Sequence, residues 1–180
     1  MKPVVLSFSG SIASGKTTIS NKVSNILGWN FASFGGFIKK VAIKRGYNPV
    51  SREIMQEIGT ELIEWGWIKF CEAVLNDANW VKGEGLIIDG IRHVEGLRTI
   101  TKIVAPQKTF LIFVRLDEKV RLQRILQKNI PMDKLNSIES HPTEIEVKDI
   151  LFNKADLIVD GNAPIQFNVD KIINWVENQT

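Results

Sequence analysis

A chain of 180 residues, 44% hydrophobic and 24% charged, has the make-up of a folded globular protein with one substantial core, which excludes a disordered or fibrous chain. Its single cysteine, Cys71, excludes an intrachain disulfide framework, and without a long apolar span or a basic-then-apolar leader a cytoplasmic protein with no membrane segment is expected. The net charge of +3 suits small acidic ligands and falls short of a nucleic-acid footprint, so nucleic acid is not an expected partner.

The first predicted element is a buried strand over residues 3–8, with the apolar run Val4-Val5-Leu6-Ser7-Phe8. Directly after it, Gly10-Ser11-Ile12-Ala13-Ser14-Gly15-Lys16-Thr17 fits the phosphate-binding pattern G-x-x-x-x-G-K-[ST] in full. The glycines let backbone N–H groups converge on a polyphosphate, Lys16 reaches the terminal phosphates, and the Thr17 hydroxyl can ligate Mg²⁺. A helix predicted over 15–27, with Thr18 in its first turn, adds its positive end. The strand-loop-helix setting distinguishes this segment from a flexible Gly/Ser turn and makes Gly10 to Thr18 the candidate site for a nucleoside polyphosphate.

A second strand around Asn30 to Phe34 runs through Ser33-Phe34-Gly35-Gly36 into a basic helix over 36–46, and residues 51–80 read as two further helices, opening on Ser51-Arg52-Glu53. Ser33, Gly35, Lys39 and Arg52 are candidates for closing over a second phosphorylated molecule; a solvated charged face is the competing reading. The third strand, Leu86-Ile87-Ile88, ends in Asp89-Gly90-Ile91-Arg92, a Walker B-like position at which a carboxylate can hold Mg²⁺ and Arg92 can grip a phosphate in two-pronged fashion. His93 reads as structural or surface rather than catalytic.

After a helix over 95–104 and a strand over 109–116, the predicted helix 117–128 carries Arg121, Arg124 and Lys128 on one face. Phosphoryl transfer depends on cations placed around the migrating group, so Arg121 and Arg124 are catalytic candidates. Residues 129–143, with Pro131 and Pro142, form a candidate lid, and a helix is predicted over 143–153. Asn153-Lys154-Ala155-Asp156 matches the guanine-reading N-K-x-D pattern, yet it precedes its strand at 156–159 and so falls at the opposite sheet edge. Asp160-Gly161-Asn162, after that strand, makes Gly161 and Asn162 the better base contacts; a helix over 165–177 closes the chain.

Strands alternating with helices imply an α/β fold with a five-stranded parallel sheet covered on both faces, and ligands in such sheets bind beyond the carboxyl ends of the strands. No linker, repeat or low-complexity tract divides the chain, so residues 1–180 are expected to be one domain.

In the order of these segments the chain resembles P-loop kinases of the nucleoside monophosphate kinase class, including adenylate, cytidylate and dephospho-coenzyme A kinases. It is similar also to a less defined group of small kinase-like ATPases with Ser-Phe-Gly, Ser-Arg-Glu and Asp-Gly-Ile-Arg-His segments, here Ser33 to Gly35, Ser51 to Glu53 and Asp89 to His93. The resemblance implies a three-layer P-loop NTPase fold with an acceptor-binding helical insertion at about 35–80 and a short lid at about 124–146. It implies Mg²⁺-dependent transfer of the ATP γ-phosphoryl group to a small phosphorylated acceptor, a nucleoside or deoxynucleoside monophosphate, by a monomer or homodimer. Lys16, Asp89, Arg92, Arg121 and Arg124 are the expected catalytic groups, with Thr17 and Asp89 at the metal and Lys39, Arg52 and Arg92 at the acceptor. Gly36 and Lys39 stand where relatives often carry an acidic residue and an Arg, and Lys offers a point charge without Arg's planar fork. Dephospho-coenzyme A kinase is the rival enzyme, and a nucleotide-binding switch or nucleic-acid-associated ATPase is the rival from another class.

Overall fold

The computed structural model describes residues 2–49, 51–127 and 146–179, and within them five strands form one wholly parallel sheet. The elements in chain order are β1 (Val5–Ser9), α1 (Lys16–Leu27), β2 (Asn30–Ser33), α2 (Phe34–Lys44), α3 (Arg52–Glu64), α4 (Trp67–Asp77) and β3 (Leu86–Asp89). They continue with α5 (Val94–Val104), β4 (Thr109–Arg115), α6 (Glu118–Gln127), a π-helical segment Glu146–Leu151, β5 (Leu157–Asp160) and α7 (Ile165–Glu177). Residues 128–145, which include most of the expected lid and Lys128, lie outside the described residues.

Side chains alternate across the sheet and feed two separate cores. Leu6, Phe8, Ile87, Ile112 and Val114 face the layer made by Ile19 and Val23 of α1 and Val169, Ile172 and Val176 of α7. Val5, Leu86, Ile88, Leu111 and Phe113 face the opposite layer, built from α2 to α5 and from Val147 and Leu151 of the π-helical segment. Each fully buried aliphatic side chain contributes about 1.5–3 kcal/mol, so both layers are needed to keep the sheet dry. Cys71 lies in the second core, where burial, with a smaller effect of the Glu72 charge, pushes its thiol up to about 12 and keeps it protonated.

The strand order is β2-β3-β1-β4-β5. The chain leaves β1 toward one edge and later leaves β4 toward the other, so the topological switch falls between β1 and β4, where the phosphate loop emerges.

Strand and helix ends agree with the sequence expectation to within a few residues, with two informative differences. The helix expected from 36 begins at Phe34, because Ser33 caps it: the Ser33 Oγ accepts from the Gly36 N–H at 3.0 Å. A Cβ on Gly36 would lie 3.1 Å from Ser33 Cβ, which accounts for glycine there. The helix expected over 143–153 has the π-helical segment Glu146–Leu151 within its described part, with Val147 and Leu151 in the core. The break expected somewhere in 51–80 falls at Gly66, whose φ of 116° a side chain would resist.

Candidate functional site

At the switch point the chain turns in backbone conformations that only a loop of small residues adopts. Gly10 has φ 145°, and a Cβ on it would stand 2.6 Å from the Val114 carbonyl oxygen, so the loop can lie against β4 only with glycine here. Ala13, at φ 64°, and Gly15, at φ 91°, complete the curl before α1 begins at Lys16. The N-terminus of α1 thus begins directly behind the curl, a position whose helix dipole suits an anion. Ser14, buried beneath the loop, has an Oγ without a hydrogen-bond partner.

β3 brings a carboxylate to the same place. Asp89 pairs in register with Phe8 of β1 and Ser33 of β2, and its Oδ2 accepts from the Thr17 hydroxyl at 2.9 Å. Asp89 is only 5% exposed, and its other oxygen, Oδ1, is buried without a partner. An ionised carboxylate left with an orphaned buried oxygen is costly unless a cation meets it, so Thr17 and Asp89 fit Mg²⁺. No group of three or more His, Cys, Asp or Glu side chains able to hold a metal occurs among the described residues, so phosphate oxygens and water would complete the shell.

The loop after β3 is stitched to β1: the Gly90 and Ile91 N–H groups donate to the Phe8 carbonyl at 3.2 and 3.0 Å, and the Ser9 hydroxyl donates to the Ile91 carbonyl at 2.7 Å. Arg92 follows, half-buried. Next to it the His93 Nδ1 lies 2.9 Å from Glu146 Oε2, while Glu146 Oε1 accepts from the Val94 N–H at 2.5 Å and so caps α5. His93 also rests against the Trp67 ring at 5.3 Å, in keeping with a structural part.

On the far side of the loop is a cavity of about 270 Å³. Ala13, Gly15 and Thr18 line it from the loop and α1, Arg124 and Gln127 from α6, and Gly161, Ala163 and Ile165 from the turn after β5. Arg124 fastens these parts together, donating to the Ala13 carbonyl at 3.3 Å and to the Gly161 carbonyl at 3.0 Å. A Cβ on Gly161 would be 2.8 Å from both Ser14 O and Arg115 O, so this turn too requires glycine. Asp160 Oδ1 accepts from the Asn162 N–H and Nδ2 at 2.9 and 2.8 Å, which turns the Asn162 amide back onto its own loop.

The structure therefore gathers Gly10, Ser11, Ile12, Ala13, Ser14, Gly15, Lys16, Thr17, Thr18, Asp89, Arg124 and Gly161 around one sheet edge. Arg121 and Arg124, three residues apart on α6, differ in burial, and Lys128 lies outside the described residues. Arg121 is 1% exposed and holds Glu118 through Nε at 3.0 Å and through Nη2, whereas Arg124 is half-buried at the cavity. Ser33 serves as a helix cap beside Asp89; Gly35 and Lys39 lie one turn apart on the exposed face of α2. Arg52 opens α3. Asp156 accepts from the Leu111 N–H at 2.7 Å, which ties the guanine-like pattern into the sheet away from the phosphate loop.

Three groups escaped the sequence reading. Asn168, buried on α7, donates to the Asp160 carbonyl at 2.6 Å and braces the cavity turn; a polar residue on the stripe of Val169, Ile172 and Val176 was its signal. Gln127 and Glu146 left no such mark, being polar residues in polar stretches.

The sheet order and the glycine-rich loop are those of the kinase-like P-loop NTPase fold. The chain belongs to the AAA domain family, whose model matches residues 7–151. It is similar to a UPF0200 protein of Aeropyrum pernix, 24% identical over 132 residues that cover 69% of this chain and 65% of that relative's length. It superimposes on the shikimate kinase of Bacteroides thetaiotaomicron with TM-score 0.63 at 14% identity, covering 97% of this chain and 98% of that one. For the shikimate kinase of Aquifex aeolicus the TM-score is 0.59 at 17% identity, with 98% of each chain covered. At such identities these two structures share the fold. No helix among the described residues is long and apolar enough to cross a membrane.

Proposed function

We propose that this chain is a Mg²⁺-dependent phosphotransferase that moves the γ-phosphoryl group of ATP to a small phosphorylated acceptor, in first place a nucleoside or deoxynucleoside monophosphate. The observation that carries this reading is the Thr17–Asp89 contact at 2.9 Å, with the orphaned Asp89 Oδ1, beside the phosphate loop.

The loop N–H groups and Lys16 would bind the β- and γ-phosphates and hold the γ-phosphorus in line for attack. Thr17 and Asp89 would hold the Mg²⁺, which when bound supplies charge neutralisation on the phosphate oxygens. Arg124, anchored on two carbonyls, would lie over the nucleoside and add positive charge at the donor. An acceptor phosphate oxygen forms the new bond to the γ-phosphorus as the bond to the β,γ-bridging oxygen breaks, and ADP departs.

The acceptor side favours a phosphate over a neutral hydroxyl. A hydroxyl needs a base to take its proton, and the carboxylate nearest the loop, Asp89, is turned onto Thr17. The end of β2 contributes Ser33 and the first turn of α2 Gly35, with Lys39 one turn on and Arg92 in the loop after β3, a set of donors and cations suited to an anionic acceptor. Residues 35–80 would thus form the acceptor-binding layer.

The test is a panel of nucleoside and deoxynucleoside monophosphates and dephospho-coenzyme A with labelled ATP and Mg²⁺. Label is expected in a nucleoside diphosphate. Tight ATP binding with no labelled product from any acceptor would sink the kinase assignment, and label in dephospho-coenzyme A alone would replace the acceptor class.

A further inference from the structure

Of the polar side chains that line the donor cavity, Ser14 and Thr18 stand at the phosphate loop and Arg124 is already committed. The two outer nitrogens of Arg124 donate to the Ala13 and Gly161 carbonyls, and in the turn beside the cavity the Asn162 amide donates to Asp160. Gln127 differs. It lies three residues beyond Arg124 on the same face of α6, lines the cavity, and among the described residues its amide has no hydrogen-bond partner. Opposite stand Ala163 and Ile165, an apolar wall suited to the flat face of a base, with the loop residues Gly15 and Thr18 at the phosphate end.

We infer that Gln127 is the specificity-determining residue for the donor base and that it reads the 6-amino edge of adenine. A carboxamide presents one acceptor, Oε1, beside one donor, Nε2, and the 6-amino edge presents an N–H donor beside a ring-nitrogen acceptor, so the two fit as a bidentate pair. Arg124 alone could not do this: a guanidinium has only donors, and those it directs into the cavity wall are bound to carbonyls. The phosphate loop reads no base at all, because it meets only the polyphosphate. Among the described residues of the wall, discrimination among nucleoside triphosphates therefore falls to the Gln127 amide. This inference rests on the donor-site reading above and adds to it the residue that tells ATP from other nucleoside triphosphates.

The experiment is a pair of equilibrium titrations with Mg²⁺ present, comparing ATP with purine riboside 5′-triphosphate, which lacks only the 6-amino group. Wild type and Gln127→Met, which keeps the length of the side chain without its amide, are measured side by side. Wild type is expected to prefer ATP by about 5–10-fold, the worth of a net hydrogen bond or slightly more. In Gln127→Met the preference falls to within about 2-fold while the affinity for the purine riboside compound holds, so that the interaction shows as non-additivity between side chain and ligand group. An equal preference for ATP in both proteins, or none in wild type, overturns the assignment of Gln127 and leaves the donor site standing. Absence of binding by wild type to either compound would instead remove the donor-site reading and this inference together. Gln127 is exposed near the end of its helix, so a melting curve matching wild type is expected of the variant.

Discussion

The proposed donor and acceptor sides of the sheet edge are built on different plans. On the donor side, position is set by backbone: Gly10 against Val114, Gly161 against Ser14 and Arg115, and Arg124 and Asn168 pinned to main-chain carbonyls. On the acceptor side, α2 and α4 are held by aromatic packing, with Phe34 edge-on to Phe70 at 5.1 Å and Trp67 stacked on it at 6.2 Å, and the cation Lys39 stands in solvent. The ion pairs Lys40–Asp77 and Arg45–Glu61 on that side are exposed and contribute about 0–1 kcal/mol each. A triphosphate is the same in every nucleotide, so a cradle of fixed N–H groups serves it. An acceptor must be told from its competitors, and side chains on a helical layer can differ without disturbing the sheet.

This contrast can be broken or sharpened by substitution. Lys16→Ala should lower phosphoryl transfer by about 100-fold, from loss of charged hydrogen bonds, with an unchanged melting curve; retained turnover in a steady-state assay would contradict the donor half. Gly161→Ala forces a Cβ against two carbonyls and is expected to cost about 2 kcal/mol, lowering the melting temperature by roughly 4–8 °C in calorimetry. A wild-type melting point would show that the donor turn is not backbone-locked. Asp89→Asn should weaken Mg²⁺-dependent nucleotide binding by about 10-fold in titration calorimetry, while the ligand-free protein melts no lower, since an unpaired buried charge is removed. Binding equal to wild type with Mg²⁺ present would separate Asp89 from the metal.

The acceptor half should respond more gently. Ser33→Ala removes the α2 cap for about 1 kcal/mol and should leave ATP affinity unchanged; a parallel loss of ATP binding would show that the two halves are coupled. Lys39→Ala is expected to shift stability by less than about 0.5 kcal/mol and to raise the acceptor KM a few-fold with little change in the KM for ATP.

Much of the donor half was legible in the sequence. A glycine-rich loop between an apolar strand and a helix is a local pattern, and Asp89 was found because a residue closing a parallel strand falls at the binding edge. Arg121 and Arg124 show the limit of the same reasoning. Helical spacing puts both on one side of α6, yet Arg121 is buried and holds Glu118, while Arg124 reaches the loop. Ser33 was singled out as a contact, and in the structure its hydroxyl is engaged in holding Gly36. Glu146 could not be anticipated, because its partners His93 and Val94 are more than fifty residues away and nothing in its neighbours marks it.

By itself the sequence determined the parallel α/β architecture and the glycine-rich loop, because short apolar runs, helix periodicity and glycine-permitted turns are properties of neighbouring residues. Only the tertiary structure decided the strand order that sets Thr17 against Asp89, the division of labour between Arg121 and Arg124, and the cavity in which Gln127 keeps an uncommitted amide. Those depend on which distant surfaces pack together, and burial, not spacing, selects which polar groups are left with chemistry to do.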